Sequence, residues 1–290
     1  MVLDLLKPFY YKLEKSVAAK SIPPVHEIDG RWTLASVGNQ PGASFDHSLW
    51  DKLLQKHVSV GGTVGPITDV HVVDYAGLSV DPDFDKYLSL LEAAQPNTLS
   101  PREQLAFWMN AYNAFCIRLI VQHEKENTTP LTSINQLSSS SDGPVWDKIA
   151  GTIHAQPISL NHIEHERLRK VWNEPSLHGC IVCASASCPN LRREAFVADR
   201  LEGQMKDQMI NWMSNPTKGI VVQKQSTWWK GPQILLSRIF LWFADDFGGW
   251  KGTQEWLPQY LEGNEAQKLV AHGKVALRFF EYDWTINRKE

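Results

Sequence analysis

The sequence has little of what would place it in a specialised class. Four cysteines in 290 residues are too few for a disulfide scaffold, and free thiols suit a reducing compartment. Lys and Arg total 29 against 32 Asp and Glu, with no basic run. That balance leaves no electrostatic footprint for nucleic acid or an anionic membrane. No apolar stretch reaches the ~20 residues that span a bilayer. The amino-terminal MVLDLLKPFYYKLEK has neither the basic leader nor the apolar run of a secretory signal. A cytoplasmic protein is the expectation. Phosphate-cradling motifs are missing too: Gly61-Gly62-Thr63-Val64-Gly65 is a loose glycine cluster, and no serine-hydrolase elbow occurs. No internal repeat is present.

What is there is an ordinary globular composition, 43% hydrophobic and 21% charged, sufficient for a sizeable core. Twelve tryptophans would mostly serve as core anchors. Ser100-Pro101-Arg102-Glu103 starts a helix expected to run to about Gln122. It is apolar nearly all round and so central and buried. Residues 1–19 read as an amphipathic helix, with Pro8 arguing for a start after it. Residues 20–44 read as an irregular connector with at most a short strand at Trp32–Ala35; a loop is expected at Gly61–Gly65, and a hairpin over Trp146–Pro157 turning at Gly151. Ser159 or Asn161 caps a helix through Val171, and the apolar run His178–Ala184 suits a buried strand. Trp228–Ile234 would pair with a strand at Gly219–Gln223. The pattern predicts an α+β fold, mainly helical, packed around a small mixed β-sheet. Residues 1–44 form a helix and irregular extension, and residues 45–290 a single globular domain.

Chemistry concentrates in HGCIVCASASCPNLR (178–192), which holds three of the four cysteines. Cys183 and Cys188 flank small residues that admit a close ligand, and Cys188 precedes a proline at an expected turn. Cys116, alone on the apolar helix, reads as a buried hydrophobe, whereas Cys180, in the apolar run with Ile181 and Val182, is equally consistent with a buried hydrophobe and with a functional thiol. In the helix LNHIEHERLR, His162 and His165 lie three apart on one face, with Glu164 between them. His178 enters the apolar run and is expected to be buried. Asn110 and Asn113 share a face of the central helix beside Tyr112. They either clamp a neighbouring loop or orient an imidazole in a Cys–His–Asn arrangement. His165, His178, Cys183 and Cys188 could alternatively surround zinc, but the spacing fits no standard finger. No metal ligand is therefore assigned and no cofactor is expected, zinc being the alternative.

Several segments in order resemble the family known as domain of unknown function 547. They are Val73-Asp74-Tyr75, AFWMNAYNAF (106–115), LNHIEHERLR (160–169), the H-x₄-C-x₃-SCP pattern from His178 to Pro189, LSRIFLWFADDF (236–247) and YDWTIN (282–287). The resemblance covers residues 45–290 and implies no general activity. It points to Cys183, Cys188, His165, Glu164, His178, Asn110 and Asn113 as site residues.

The reading that follows is a cysteine-dependent enzyme for acyl transfer or hydrolysis of an amide, ester or thioester. Cys183 or Cys188 would be the nucleophile, activated by His165, with Glu164 or an asparagine orienting the imidazole and His178 close by. Amides near Ser185–Ser187 would stabilise an oxyanion. Asn110, Asn113, Tyr112, Ser187 and Arg192 would meet a small-molecule or peptide substrate. The alternative is a non-catalytic interaction module with a structural Cys/His/Asn network, in which Trp228 and Trp229 meet a partner. Nothing in the sequence sets the oligomeric state.

Overall fold

The computed structural model describes residues 2–18, 20, 22–25, 30–127, 129–141, 143–223, 232–272 and 275–290; for residues 2–9 it describes the backbone alone. Trp228 and Trp229, and the expected strand before residue 232, lie outside the described residues. In chain order the helices are α1 (Val2–Ala18), α2 (Leu34–Val37), α3 (Ser48–His57), α4 (Tyr75–Val80), α5 (Pro82–Ala93), α6 (Pro101–Glu126), α7 (Leu201–Ser214), α8 (Ile239–Trp242), α9 (Gly249–Trp256) and α10 (Ala266–His272). The strands are β1 (Val58–Val64), β2 (Ile67–Val73), β3 (Ile149–Ile153), β4 (Gln156–Ser159), β5 (Ile220–Gln223), β6 (Gln233–Leu236) and β7 (Ala276–Phe279). The fold is α+β. Its strands fall into two antiparallel hairpins, β1–β2 and β3–β4, and one three-stranded sheet. In that sheet β5–β6 is antiparallel and β6–β7 parallel, which makes it mixed.

The chain divides into two compact units: residues 1–31 with 213–282, and residues 32–212 with 283–290. The division expected at residue 44 cuts through the second of these. The first unit joins α1 to the mixed sheet and α8–α10. Glu14 on α1 accepts a forked pair of bonds from Arg238, at 2.5 and 2.6 Å, and a third from Trp242 Nε1 at 2.8 Å. Two charge-assisted bonds in a fixed fork set the position of an α1 side chain better than apolar packing alone. Pro8 lies inside α1, so the helix tolerates the lost hydrogen bond that argued for a later start.

The second unit is built on α6. Ser100 Oγ caps the helix by accepting from Glu103 N–H at 3.4 Å, with Pro101 at its first position. The helix is buried almost without interruption from Leu105 to Val121. It continues past the expected end to Glu126. Trp50 of α3 stacks on Tyr87 of α5 with ring centroids 5.2 Å apart. Trp50, Trp108, Trp172 and Trp212 are buried in this unit, whereas Trp32 is exposed.

Local structure departs from expectation where backbone demand outweighs composition. Residues 61–64 are strand, not loop: Gly61 has φ +74°, and the β1–β2 register shifts beside it, forming a bulge. The β3–β4 hairpin turns at His154–Ala155, both with positive φ, and not at Gly151. Gly151 lies inside β3 because a Cβ there would stand 2.3 Å from a ring carbon of Phe115. Trp32–Ala35 is no strand. Trp32 makes a single bridge to Trp172, and Thr33 caps α2 through a reciprocal box with Ser36.

Candidate functional site

The helix after β4 is a π-helix over His162–Arg169, entered by a bond from His162 N–H to Ser159 Oγ at 3.1 Å. The bond from Lys170 N–H to the His165 carbonyl, five residues back, marks its wider turn. That extra width changes which side chains face inward. Ile163, Glu164, His165, Leu168 and Arg169 are buried, while His162, Glu166 and Arg167 are exposed. The shared face expected for His162 and His165 therefore does not form. Instead His165 meets Arg169, whose guanidinium donates to His165 Nδ1 at 2.9 Å. An arginine can only donate, so the neutral imidazole carries its proton on Nε2. Arg169 was not among the expected site residues. Its position four after His165, on the same helix, was the available signal.

Inward of this helix lies α6. Tyr112 donates its hydroxyl to Glu164 Oε2 at 3.4 Å. Burial pushes the phenol of Tyr112 well above its ordinary value, and the acids Glu164, Cys116, Cys183 and Cys188 push it the same way. Tyr112 thus remains protonated. It is the common neighbour of Glu164 and of both candidate nucleophiles.

The cysteine segment is not a strand. His178 is buried on a 3₁₀ turn, Pro175–Gly179, and the chain beyond it is irregular. Among the described residues no strand pairs with residues 180–182; the Cys180 and Ile181 amides donate to the Leu177 carbonyl, and a side chain serves the Cys180 carbonyl and the Val182 amide. Asn113 donates to the Cys180 carbonyl at 2.9 Å and accepts from Val182 N–H at 2.9 Å. Asn110 does the same for Phe196, at 2.8 and 3.0 Å. The clamping alternative accounts for these bonds of both asparagines.

The next residues are held by the carboxy-terminal segment. Ala186 N–H donates to Thr285, Ser187 N–H to Asp283, and Asn287 N–H to Ala184, at 2.8, 3.2 and 3.0 Å. Ser187 Oγ accepts from Asp283 N–H at 2.8 Å, and Cys188 N–H donates to the Ser185 carbonyl at 3.1 Å. Of the amides near Ser185–Ser187 that were expected to face an oxyanion, those of Ala186 and Ser187 are therefore occupied by backbone acceptors, as is that of Cys188 beyond them. Ala184 takes φ +61°, a left-handed conformation unusual for alanine, and this turns the loop between Cys183 and Cys188.

The four thiols differ in setting. Burial pushes Cys116 and Cys180 up, and Cys180 also donates to the Ser176 carbonyl at 3.3 Å. Cys188 is buried and its sulfur accepts the Cys183 N–H at 3.1 Å. Cys183 is half-buried, with its sulfur 3.1 Å from Ser185 Oγ. Arg192 is committed elsewhere, to Glu194 at 2.8 Å and Asp207 at 2.6 Å. Among the described residues no group of three or more His, Cys, Asp or Glu is placed to hold a metal ion. No described helix is long and apolar enough to cross a membrane.

Residues 96–213 match the family described as "Protein of unknown function, DUF547". This stretch is similar to that family and covers less than half of the chain. The resemblance read from the sequence is borne out there, and the span contains every candidate named above from Asn110 to Arg192. No curated protein and no solved structure matches the chain. The DUF547 match brings no activity with it, so function rests on the site.

Proposed function

We propose that the DUF547 region is a thiol-dependent enzyme acting on an amide, ester or thioester of a small molecule or peptide, with Cys183 as nucleophile. The observation that carries this reading is the setting of Cys183. It is half-buried where the other three cysteines are buried, and it lies near a protonated Tyr112 that in turn donates to the Glu164 carboxyl. Cys183 Sγ adds to the carbonyl carbon, and the leaving amine, alcohol or thiol departs with a proton. Water or a second nucleophile then releases the acyl group. Glu164 takes the thiol proton, and the Tyr112 hydroxyl, released from the now protonated carboxyl, turns its single proton to the developing oxyanion. His165, held by Arg169 with its proton on Nε2, is a second donor and supplies no base in this arrangement. Free thiols of this kind fit the reducing cytoplasm.

A second reading, a non-catalytic interaction module, is favoured by Asn110, Asn113 and Ser187, which spend hydrogen bonds on backbone. Alkylation with iodoacetamide across about pH 5–9, each cysteine mapped by mass spectrometry, separates the two. The enzyme reading expects Cys183 to react at least about tenfold faster than the other thiols near neutral pH, and Arg169→Met to slow it. Four thiols inert until the protein unfolds would leave the module.

A further inference from the structure

A cavity of about 400 Å³ opens beside the π-helix. Its floor is apolar: Trp108 of α6, Ile153 of β3 and Ile158 of β4 are buried there. Its rim is polar and carries Arg167, His162 and Asn97, all exposed. The volume lies in the range of small-molecule sites, and an apolar floor under a few polar groups is their usual make-up.

The charge of the rim is one-sided. No carboxylate lines the cavity. The two glutamates nearest in sequence to Arg167 are turned elsewhere: Glu164 inward to Tyr112, and Glu166 to Lys170 at 2.9 Å. The Arg167 guanidinium lies over the Trp108 ring, 5.4 Å from its centroid. An arginine stacked in this way keeps its in-plane N–H edges for a ligand, and those edges match two oxygens of a carboxylate or phosphate. Burial and the nearby Arg167 charge both lower the pKa of His162, so near neutral pH its uncharged ring offers a hydrogen bond and adds no charge.

We propose that this cavity binds a small organic anion, with its carboxylate or phosphate on the fork of Arg167 and its flat apolar body over Ile153 and Ile158 beside Trp108. The proposal stands independently of thiol chemistry at Cys183. It explains an arginine without a carboxylate partner among the described residues, held in one orientation by an aromatic ring at the mouth of an apolar hollow.

The test is calorimetric titration of the full chain with phenyl phosphate, benzoate, inorganic phosphate and phenol. Phenyl phosphate or benzoate should bind at least about tenfold tighter than both inorganic phosphate and phenol, since each of those keeps only half of the contact. Which of the two binds better assigns the oxyanion. Arg167→Met should lose about tenfold or more, and Arg167→Lys, which keeps the charge but not the fork, should lose most of that. Arg167 is exposed, so both variants should fold, and an unchanged melting curve checks this. Absence of binding by both anions at about 10 mM, or binding indifferent to Arg167→Met, overturns the proposal.

Discussion

His47 turns burial into a pH dependence that can be measured. Its ring lies 4.7 Å from Phe45 and 6.2 Å from Phe107, and Nδ1 is 2.8 Å from the Tyr87 hydroxyl. Nε2 is buried with no hydrogen-bond partner among the described residues. Loss of hydration therefore lowers its pKa from 6.5 to about 3, with Asp46 opposing only in part. In the unfolded chain the same imidazole titrates near its ordinary value. Below that value the unfolded state binds a proton that the folded state refuses, so stability falls as pH falls. The contribution is fully present above about pH 6.5 and is lost progressively down to about pH 3. Each pH unit inside the window costs about 1.4 kcal/mol, so two units cost roughly 2.5 kcal/mol from this one side chain.

The comparison is wild type against His47→Asn, unfolded with urea at about pH 7.5, 6.5, 5.5 and 4.5. Asparagine can still accept from Tyr87 and does not titrate. The variant loses ring packing at every pH, and carboxylates elsewhere protonate alike in both proteins. The difference in unfolding free energy between the two should therefore shrink by roughly 2.5 kcal/mol between about pH 7.5 and 4.5. A difference constant within about 0.5 kcal/mol would show that the ring is hydrated or protonated in the folded state, and the reasoning would fail.

Asp81 accepts from His57 Nε2 at 2.9 Å and from Lys56 Nζ at 2.7 Å, and its carboxyl is held well below the usual carboxylate range, first by the His57 bond. Asp81→Asn should cost about 2 kcal/mol at neutral pH, because His57 is buried and loses a charged acceptor. That cost should fade as the pH drops through the ordinary carboxylate value of 3.8, where wild type begins to lose the same stabilisation; urea melts at two pH values decide it. Gly151→Ala should destabilise by about 1–3 kcal/mol, since the new methyl meets the buried Phe115 ring; a thermal melt unchanged from wild type would show that the ring can move aside.

How much of this could be read from the sequence depends on where the determining contacts lie. The start of α6 was legible because its signals, Ser100, Pro101 and Glu103, are local. The turn between β3 and β4 was not. Gly151 looks like a turn residue, but its missing Cβ makes room for Phe115, more than thirty positions away, and the turn falls to His154 and Ala155. The helix over 160–171 was legible as a helix. Its π character was not: the local pattern reads simply as helix, while bonds reaching five residues back turn His162 out and pair His165 with Arg169. His178–Ala184 has the apolar content of a buried strand and fails to be one because Asn113 serves its backbone. The candidate cysteines could be named from spacing. Their differing exposure required the loop around Ala184.

That loop explains why the site is where it is. Irregular backbone is expensive to bury, since each unmet N–H or carbonyl costs about 1–3 kcal/mol. Residues 180–188 meet much of the demand from outside: Asn113 serves 180 and 182, and the segment 283–287 serves 184, 186 and 187. A strand or helix would have supplied these partners more simply. The irregular loop sets Cys183 half-exposed and buries Cys180 and Cys188 within the same nine residues. The fixed irregular loop holds one thiol in a different environment from its neighbours. Asn113, although committed to backbone, is therefore a positioning residue for the proposed chemistry: Asn113→Ala should release the loop, speed alkylation of Cys180 and erase the selectivity for Cys183. If Cys183 kept its advantage in that variant, its environment would be set by Tyr112 and Glu164 alone.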